Sequence, residues 1–283
     1  MKLARYDNGR GATLGVVKGD SVISLAGIAD RYPTMLALIE GGDAALEAVR
    51  THLAANPERA ALSAVQLLAP IERPDKFLAI GMNYAKHAEE ARRLGVAVPE
   101  KQFWFNKQTS CLAGPFDPIE CGVSEEVDYE VELGVIIGKH AKGVSEADAP
   151  AYVFGYTVIN DVSARDWQKH APTFTVGKSF DTHGPLGPWI VTADEIDDPH
   201  TLDLRCVVNG EERQSSNTSD LVHNVWQQIA YLSTAFTLFP GDILATGTPS
   251  GVGVAMSPPV FLKSGDVVRC EIDGIGVIEN RVA

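Results

Sequence analysis

The sequence lacks paired cysteines, a long apolar run and any segment rich in lysine and arginine. Its 4 cysteines are far apart and form no CxxC pair, so neither a zinc site nor a redox motif is indicated. No run of about 18 apolar residues predicts a membrane span, and the first residues contain no apolar signal segment. We therefore expect a soluble, cytoplasmic protein with reduced thiols.

Basic residues are too few for a protein that binds polyanions. Lys and Arg number 24 against 37 Asp and Glu, which gives a net charge of −13 at pH 7. This charge repels phosphate backbones and anionic lipid heads. We expect no nucleic-acid or membrane partner.

The composition favours many short strands. With 283 residues, 45% of them hydrophobic, the chain can close a core without disulfides. The 26 glycines and 16 prolines predict frequent turns. Signals such as Asn209-Gly210 and Asp273-Gly274 stand between β-branched runs. Two longer helices are predicted over 84–94 and about 220–236. The fold class is thus α+β and mainly β.

A domain boundary is predicted near residue 70. Pro70 and Pro74 would interrupt any continuing helix or strand, and the composition changes beyond them. Before this point, strands over 14–17 and 22–25 flank a turn and predict a hairpin. We expect a small α+β N-terminal domain over 1–70 and a mainly β domain over 71–283.

An acidic, alternating run is the most informative segment. From Asp128 to Ile137, alternation predicts a strand with Asp128, Glu130 and Glu132 on one face. Neighbours on one face are about 6.6 Å apart, so two carboxylates can share one cation. The alternative is a solvated strand face without a ligand.

A third acid and two polar side chains follow the next apolar strand. That strand ends at Asp161, and a short helix is predicted to follow it. Arg165 and Gln168, at i and i+3, would project to one side of this helix. The alternative for Arg165 is a surface ion pair.

Histidine and lysine supply candidate acid–base groups. His87 and Glu90 lie one turn apart in the predicted helix, where the carboxylate can orient the imidazole. Such a pair at helical spacing is more often a surface contact. Lys178 is by itself a solvated cation unless other site residues lie beside it.

Six ordered segments resemble the fumarylacetoacetate hydrolase family, over about 77–283. The segments are Gly81 to His87, Asp128 to Leu133, Asn160 to Asp166, Lys178 to Asp181, Gly184 to Trp189 and Pro240 to Pro249. The resemblance, to the reduced bacterial type with a small N-terminal domain, implies a mixed β-roll or sandwich catalytic domain. It also implies a homodimer and a divalent metal, Mg2+ with Mn2+ or Ca2+ as alternatives.

The resemblance also implies roles for individual residues. Glu130, Glu132 and Asp161 match the metal-ligating carboxylates. The remaining matches are the His87–Glu90 dyad on a segment that orders over substrate, the active-site Lys178, and the substrate contacts Arg165, Gln168 and Thr248. The additional upstream aspartate ligand of the longer eukaryotic members has no counterpart that we can place.

These roles lead to a hypothesis of metal-assisted C–C bond hydrolysis. The substrate would be a 2,4-dioxo acid, either an acylpyruvate or a 2,4-diketo-3-deoxy sugar acid, and the products pyruvate and a carboxylic acid. His87, oriented by Glu90, would activate water, and Lys178 would stabilise the enolate. Alternatives on the same site are an oxaloacetate decarboxylase or tautomerase, a hydroxymuconate-type isomerase and a ureidoglycolate lyase.

Two readings come from other functional classes. Acidic strand residues followed by a lysine also describe metal-dependent nucleases, although the acidic net charge argues against one. A non-catalytic β scaffold with a structural metal is the third hypothesis. The residues that would read the acyl side of a substrate are expected over 89–98 and at Trp104, Phe174 and Trp226.

Overall fold

The computed structural model describes residues 1–55 and 57–283. The strands are β1 Lys2–Asp7, β2 Ala12–Lys18, β3 Ser21–Ser24, β4 Arg59–Ala61, β5 Gln66–Leu68, β6 Phe77–Gly81, β7 Phe103–Lys107, β8 Leu112–Ala113, β9 Val127–Asp128, β10 Val131–Ile137, β11 Val153–Asn160, β12 Ser163–Ala164, β13 Gly184–Thr192, β14 Asp203–Val208, β15 Glu211–Asn217, β16 Ile243–Ala245, β17 Val267–Ile272 and β18 Gly276–Arg281. The α-helices are α1 Met35–Glu40, α2 Gly42–Ala54, α3 Ala85–Arg93, α4 Arg165–Gln168 and α5 Val225–Ala235. The prediction of a mainly β, α+β fold is confirmed.

Two packed sheets organise the chain, and β9 and β12 pair in a further, 2-stranded sheet. Among the described residues, the larger, central sheet has 12 strands, ordered β4-β3-β2-β1-β13-β11-β10-β16-β6-β7 with β5 beside β1 and β8 beside β13. A 4-stranded sheet has the order β15-β14-β17-β18. No helix in the described ranges is long and apolar enough to cross a bilayer.

The N-terminal strands continue the central sheet. The predicted hairpin is confirmed, because β2 pairs with β3 through Val17 and Val22. Strand β1 then pairs antiparallel with β13, where Leu3 faces Ile190. The segment before residue 70 thus shares its sheet with the rest of the chain, and its separation as a domain over 1–70 stays a prediction.

Strand β10 lies at the centre and contributes to two cores. Val131, Leu133 and Val135 belong to the core that includes residues of the 4-stranded sheet and α5. Ile136 instead belongs to the core that contains α1 and α2 residues. Because side chains alternate along a strand, Glu132 lies on the face opposite Val131 and Leu133. The strand is buried on both sides, so Glu132 is buried as well.

Both longer predicted helices form, although α5 is shorter than expected. It begins at Val225 because Asn224 accepts the Gln227 backbone N–H, while the Gln227 side chain accepts the Asn224 N–H. The preceding residues 218–220 form a separate short turn of 3-10 helix. Helix α3 covers Ala85–Arg93, within a residue of its predicted bounds.

Candidate active site

A cavity of about 470 Å³ collects most of the residues that the sequence singled out. Its lining includes eight of the nine predicted site residues, namely His87, Glu90, Glu130, Glu132, Arg165, Gln168, Lys178 and Thr248. The ninth, Asp161, is fully buried and hydrogen-bonded to Lys178. The predicted residues therefore converge in space, although they come from segments more than 150 positions apart.

Three carboxylates form a buried group, which we call the carboxylate triad: Glu130, Glu132 and Asp161. Strands β10 and β11 pair antiparallel with Val131 opposite Asn160, which brings Asp161 beside Glu130. The Asp161 N–H donates to the Glu130 carbonyl at 2.8 Å. One oxygen from each triad member lies within 4.8 Å of the others. Since Glu132 is 1% exposed, the alternative of a solvated strand face is wrong.

The predicted strand is interrupted inside the acidic run. Residues 129 and 130 separate β9 from β10, so Asp128 and Glu132 do not share one regular strand. Asp128 accepts the N–H groups of Gly253 and Val254 at 2.8 and 3.0 Å. It also accepts Arg165 Nε at 2.9 Å, which makes it a support for the site and not part of the triad.

Lys178 bridges two members of the triad. Its Nζ lies 2.7 Å from Glu130 Oε2 and 2.8 Å from Asp161 Oδ2. Burial by itself would lower the pKa of Lys178, but Asp161 and Glu130 outweigh burial and raise it. The ammonium also lies 5.0 Å from the centre of the Phe105 ring. Lys178 is thus a buried cation that contacts two carboxylates, and not a solvated lysine.

The two glutamates of the triad have opposite electrostatic surroundings. Burial would raise the pKa of Glu130, yet Lys178 and Arg165 hold it at about 2. For Glu132, burial together with Asp161 and Glu130 raises the pKa well above its usual range. Glu132 Oε2 accepts the Gly247 N–H at 2.7 Å, and in the described chain no salt bridge reaches it.

The carboxylate oxygens of the triad are suitable ligands for a divalent cation. Three buried carboxylates offer only oxygen ligands, which suits Mg2+, Mn2+ or Ca2+. A cation between the three carboxylates would supply the positive charge that no salt bridge among the described residues brings to Glu132. The triad can therefore hold a divalent metal.

Arg165 and Gln168 are placed as the sequence predicted, one turn apart on α4. Arg165 Nη2 donates to Glu130 Oε1 at 2.6 Å, and Nη1 donates to Gln168 Oε1 at 3.0 Å. The side chain of Arg165 is buried, so the alternative of a surface ion pair is wrong. With its remaining donors, this pair can bind a carboxylate in the cavity.

His87 and Glu90 face the same cavity from α3. Their side chains meet at 3.1 Å between Nδ1 and Oε2. Glu90 Oε1 also accepts the Gly251 N–H at 3.0 Å, which ties α3 to the loop over 246–253. With Nδ1 engaged by Glu90, Nε2 is the nitrogen available for proton transfer. The pair is half-buried and lines the cavity, so it is more than a surface contact.

Thr248 lies on that same loop, beside the triad. Its hydroxyl donates to the Val131 carbonyl at 2.9 Å and accepts Gln214 Nε2 at 2.8 Å. Gln214 Oε1 in turn accepts the Val131 N–H at 3.0 Å. The loop is thereby fixed to the start of β10, next to Glu130.

Sequence reasoning missed two buried charged residues, Lys107 and Asp128. Lys107 ends the aromatic strand Phe103–Lys107, and a lysine closing such an apolar strand was the signal available. Asp128 was noticed only as the first acid of its run. Of the aromatics expected to read the acyl side, Phe174 lines the cavity, whereas Trp104 and Trp226 are outside the described lining.

Comparisons with known proteins agree with this geometry. The family model for fumarylacetoacetate hydrolase, C-terminal, matches residues 76–283, and the Rv2993c-like N-terminal model matches residues 1–70. The mitochondrial oxaloacetate tautomerase FAHD2A of Bos taurus is 48% identical over 278 residues, covering 96% of this chain and 88% of the relative.

Solved structures share the whole fold. Maleylpyruvate hydrolase from Sphingobium sp. SYK-6, in complex with manganese (II) ion and pyruvate, has a TM-score of 0.84 at 37% identity, covering 100% of this chain and 99% of that one. The 5-carboxymethyl-2-hydroxymuconate delta-isomerase from Mycobacterium smegmatis has a TM-score of 0.79 at 34% identity, with coverage of 100% and 99%.

The comparison with the bovine relative corrects one expectation. The prediction of a cytoplasmic protein is wrong on this finding, since that relative is a mitochondrial protein. The sequence argument tested only for an apolar signal segment, whereas mitochondrial targeting segments are amphipathic and rich in arginine.

The family model matches more than half of the chain, and the matching segments contribute the residues that line the cavity. The chain is a member of the fumarylacetoacetate hydrolase family of enzymes.

Proposed function

We propose that this chain is a metal-dependent oxaloacetate tautomerase, which interconverts the keto and enol forms of its substrate. One observation carries the proposal: the carboxylate triad, Lys178 and the His87–Glu90 pair meet at one cavity. Sequence reasoning ranked C–C bond hydrolysis first and this reaction among its alternatives. The 48% identity to the bovine tautomerase favours the alternative.

Glu130, Glu132 and Asp161 are the proposed metal ligands, with Mg2+ or Mn2+ as the metal. Manganese in the Sphingobium structure supports a divalent ion. When bound, the cation supplies Lewis-acid polarisation of the 2-oxo group and so acidifies the protons at C3. Lys178, beside Glu130 and Asp161, donates a hydrogen bond to the oxygen at C2 as negative charge develops there. One such donor is typically worth about 3 kcal/mol.

Substrate carboxylates are bound by the chain's own polar groups in this proposal. Arg165 has five N–H donors, and its contacts with Asp128, Glu130 and Gln168 leave one of them, on Nη1, available. The amide of Gln168 and the loop around Thr248 complete the polar wall. These contacts orient the C2–C3 bond toward α3.

His87 carries out the proton transfer. Glu90 holds Nδ1, so Nε2 takes a proton from C3 while the C3–H electron pair becomes the C2–C3 double bond. His87 then returns that proton to the oxygen at C2. The reaction conserves all atoms and needs no water or second substrate, as a tautomerisation requires.

The test is a direct assay of enol decay. Enol-oxaloacetate is added to the protein with Mn2+, and loss of the enol absorbance is followed beside samples with EDTA and with Mn2+ alone. We expect the protein with Mn2+ to accelerate ketonisation, EDTA to remove the effect, and pyruvate to form no faster than with Mn2+ alone. Pyruvate and CO2 formed faster than with Mn2+ alone, or an enol decay rate equal to that of Mn2+ alone, would contradict the tautomerase.

Hydrolysis of a 2,4-dioxo acid is the second candidate. The cavity of about 470 Å³ extends from the triad to apolar residues such as Phe105, Phe174 and Val252, beyond what oxaloacetate fills. His87 could equally take a proton from water. Incubation with acylpyruvates and 2,4-diketo-3-deoxy sugar acids, with pyruvate as the measured product, separates this candidate from the first. We also propose that the chain forms a homodimer and that it divides into domains over 1–70 and 71–283.

A further inference from the structure

Lys107 is a buried lysine that the roles proposed above leave unused. It is the last residue of β7, opposite Phe77 of β6 in the antiparallel ladder. Its side chain has no solvent exposure, and it is not among the cavity-lining residues in the described chain. Lys107 can therefore act on a substrate only through other residues.

All three ammonium hydrogens of Lys107 have an acceptor. Its Nζ lies 2.7 Å from Asp161 Oδ1 and 3.4 Å from the Val162 carbonyl, and it also donates to the Lys178 carbonyl. The acceptors come from two segments, one after β11 and one before β13. Lys107 thus joins the segment that carries Asp161 to the segment that carries Lys178.

Each carboxylate of the triad has its own outer donor. Arg165 holds Glu130 Oε1 at 2.6 Å, the Gly247 N–H holds Glu132 Oε2 at 2.7 Å, and Lys107 holds Asp161 Oδ1 at 2.7 Å. Lys178 instead contacts Glu130 and Asp161 through their other oxygens. Each outer donor thus takes one oxygen of its carboxylate and leaves the second, which in Glu130 and Asp161 also accepts Lys178.

We propose that Lys107 is a positioning residue, which orients Asp161 toward the metal and sets the backbone of Lys178 beside it. The role rests on the proposed metal site and acts on both the metal and the catalytic lysine. Loss of a residue that holds a metal ligand typically weakens metal affinity about 10- to 100-fold. We expect a change of about that size when Lys107 is replaced.

Positioning and simple charge effects predict opposite signs. Removing a positive charge beside three carboxylates makes the site more negative, which by Coulomb attraction alone tightens the binding of a cation. Loss of orientation weakens it. The direction of the change in Mn2+ affinity therefore separates the two roles without any enzymatic assay.

The experiment compares Lys107→Met and Lys107→Gln with the wild-type chain and with Lys76→Met. Lys76 is a matched control, because its Nζ lies 2.9 Å from Oδ2 of the fully buried Asp242 at a distance from the triad. Thermal melts establish folding, titration calorimetry gives the Mn2+ Kd without substrate, and enol decay gives kcat and KM. Gln retains a donor, so it keeps the test available if the Met variant does not fold.

We expect both Lys107 variants to bind Mn2+ about 10- to 100-fold more weakly and to lose kcat at saturating Mn2+ through the displaced Lys178. Lys76→Met should lose stability only. A folded Lys107 variant with wild-type or tighter Mn2+ binding overturns the inference. If wild-type protein binds Mn2+ yet leaves enol-oxaloacetate unchanged, the proposed reaction fails while the Kd comparison still tests Lys107.

Discussion

The carboxylate triad and helix α3 supply the two sides of the same cavity, yet they are held in different ways. The triad lies on buried backbone where β10 pairs with β11, and each carboxylate has a donor of its own. In α3 only Ala88 is buried, while Glu89 and Arg93 form an exposed pair. A single hydrogen bond from Gly251 to Glu90 joins the helix to the opposite loop.

This difference suggests a division of work. Sheet pairing with buried ion pairs fixes positions closely, as the ligands of a metal require. A helix with one buried residue has few apolar contacts to lose, so it can open at a low free-energy cost. We infer that the triad decides metal binding, whereas α3 affects proton transfer and access to the cavity. Three predictions test this division, from the largest expected effect to the smallest.

The largest effect is expected for Glu132→Gln in the triad. The amide can still accept the Gly247 N–H, but it cannot supply a charged ligand. Because outer partners alone change metal affinity 10- to 100-fold, we expect the Mn2+ Kd to rise by more than about 100-fold. In EDTA the variant should melt no lower than wild type, because like-charge repulsion from Asp161 and Glu130 is removed. Calorimetry and thermal melts measure both effects.

Glu279→Gln serves as the control for this change, since Glu279 is a half-exposed strand glutamate of β18. It should leave Mn2+ affinity and melting temperature as in wild type. Unaltered Mn2+ binding in Glu132→Gln would remove Glu132 from the ligand set and with it the contrast between the triad and α3.

The next effect is expected for His87→Gln in α3. Losing the general base should lower kcat about 10²- to 10⁴-fold, because Nε2 no longer accepts the proton. The Mn2+ Kd should stay that of wild type, since no triad carboxylate depends on His87 for its position. Stopped-flow enol decay and calorimetry give the two values.

Arg93→Ala is the matched variant on the same helix. Its partner is the exposed Glu89 at 2.6 Å, and such pairs contribute well under about 1 kcal/mol. Near-normal kcat is expected for Arg93→Ala. If His87→Gln instead weakened Mn2+ binding as strongly as Glu132→Gln, the two sides of the cavity would not be independent.

The last prediction, with the smallest expected effect on Mn2+ affinity and kcat, concerns His183 near the triad. Burial, with Lys107 nearby, lowers the pKa of this imidazole from 6.5 to about 4. The unfolded chain takes up a proton below pH 6.5, whereas the folded chain resists it down to about pH 4. The free energy of unfolding therefore falls as pH drops through this window, by about 3 kcal/mol from this group.

His183→Gln should flatten that part of the profile. Gln can still donate to the Glu120 carbonyl, which His183 Nε2 contacts at 3.0 Å, but it takes up no proton. Urea unfolding at several pH values between 4 and 7, in EDTA, gives the difference between variant and wild type. If the free energy of unfolding fell equally with pH in both proteins, the His183 imidazole would be hydrated. The protein near the triad would then be as accessible to water as α3.

Local pattern was enough to predict several of the elements and to single out most of the residues that line the cavity. Turn signals predicted the hairpin, over 14–25 where the strands cover 12–24, and helical spacing placed His87 beside Glu90. The α3 bounds were predicted within a residue, because helix periodicity is a local property. Resemblance to the family supplied Thr248 and the role of Lys178, for which spacing gave no signal.

Long-range contacts were out of reach of the same reasoning. Asp128 appeared to belong with Glu130 and Glu132, but the break at 129–130 turns it toward Arg165 and Gly253. Lys107 reaches Asp161 across 54 positions of sequence. No periodicity records such a pair, because its geometry depends on how β7 and β11 are placed in the sheet.

By itself, the sequence singled out the residues that we propose carry the chemistry: the three carboxylates, the dyad, Arg165 and Lys178. Tertiary structure alone decided how those charges are balanced. Whether a carboxylate is solvated or buried, and which cation faces it, follows from strand register and packing. Because burial and neighbouring charge set a pKa, only the folded chain shows why the pKa of Glu130 is lowered to about 2 while burial, Asp161 and Glu130 raise that of Glu132.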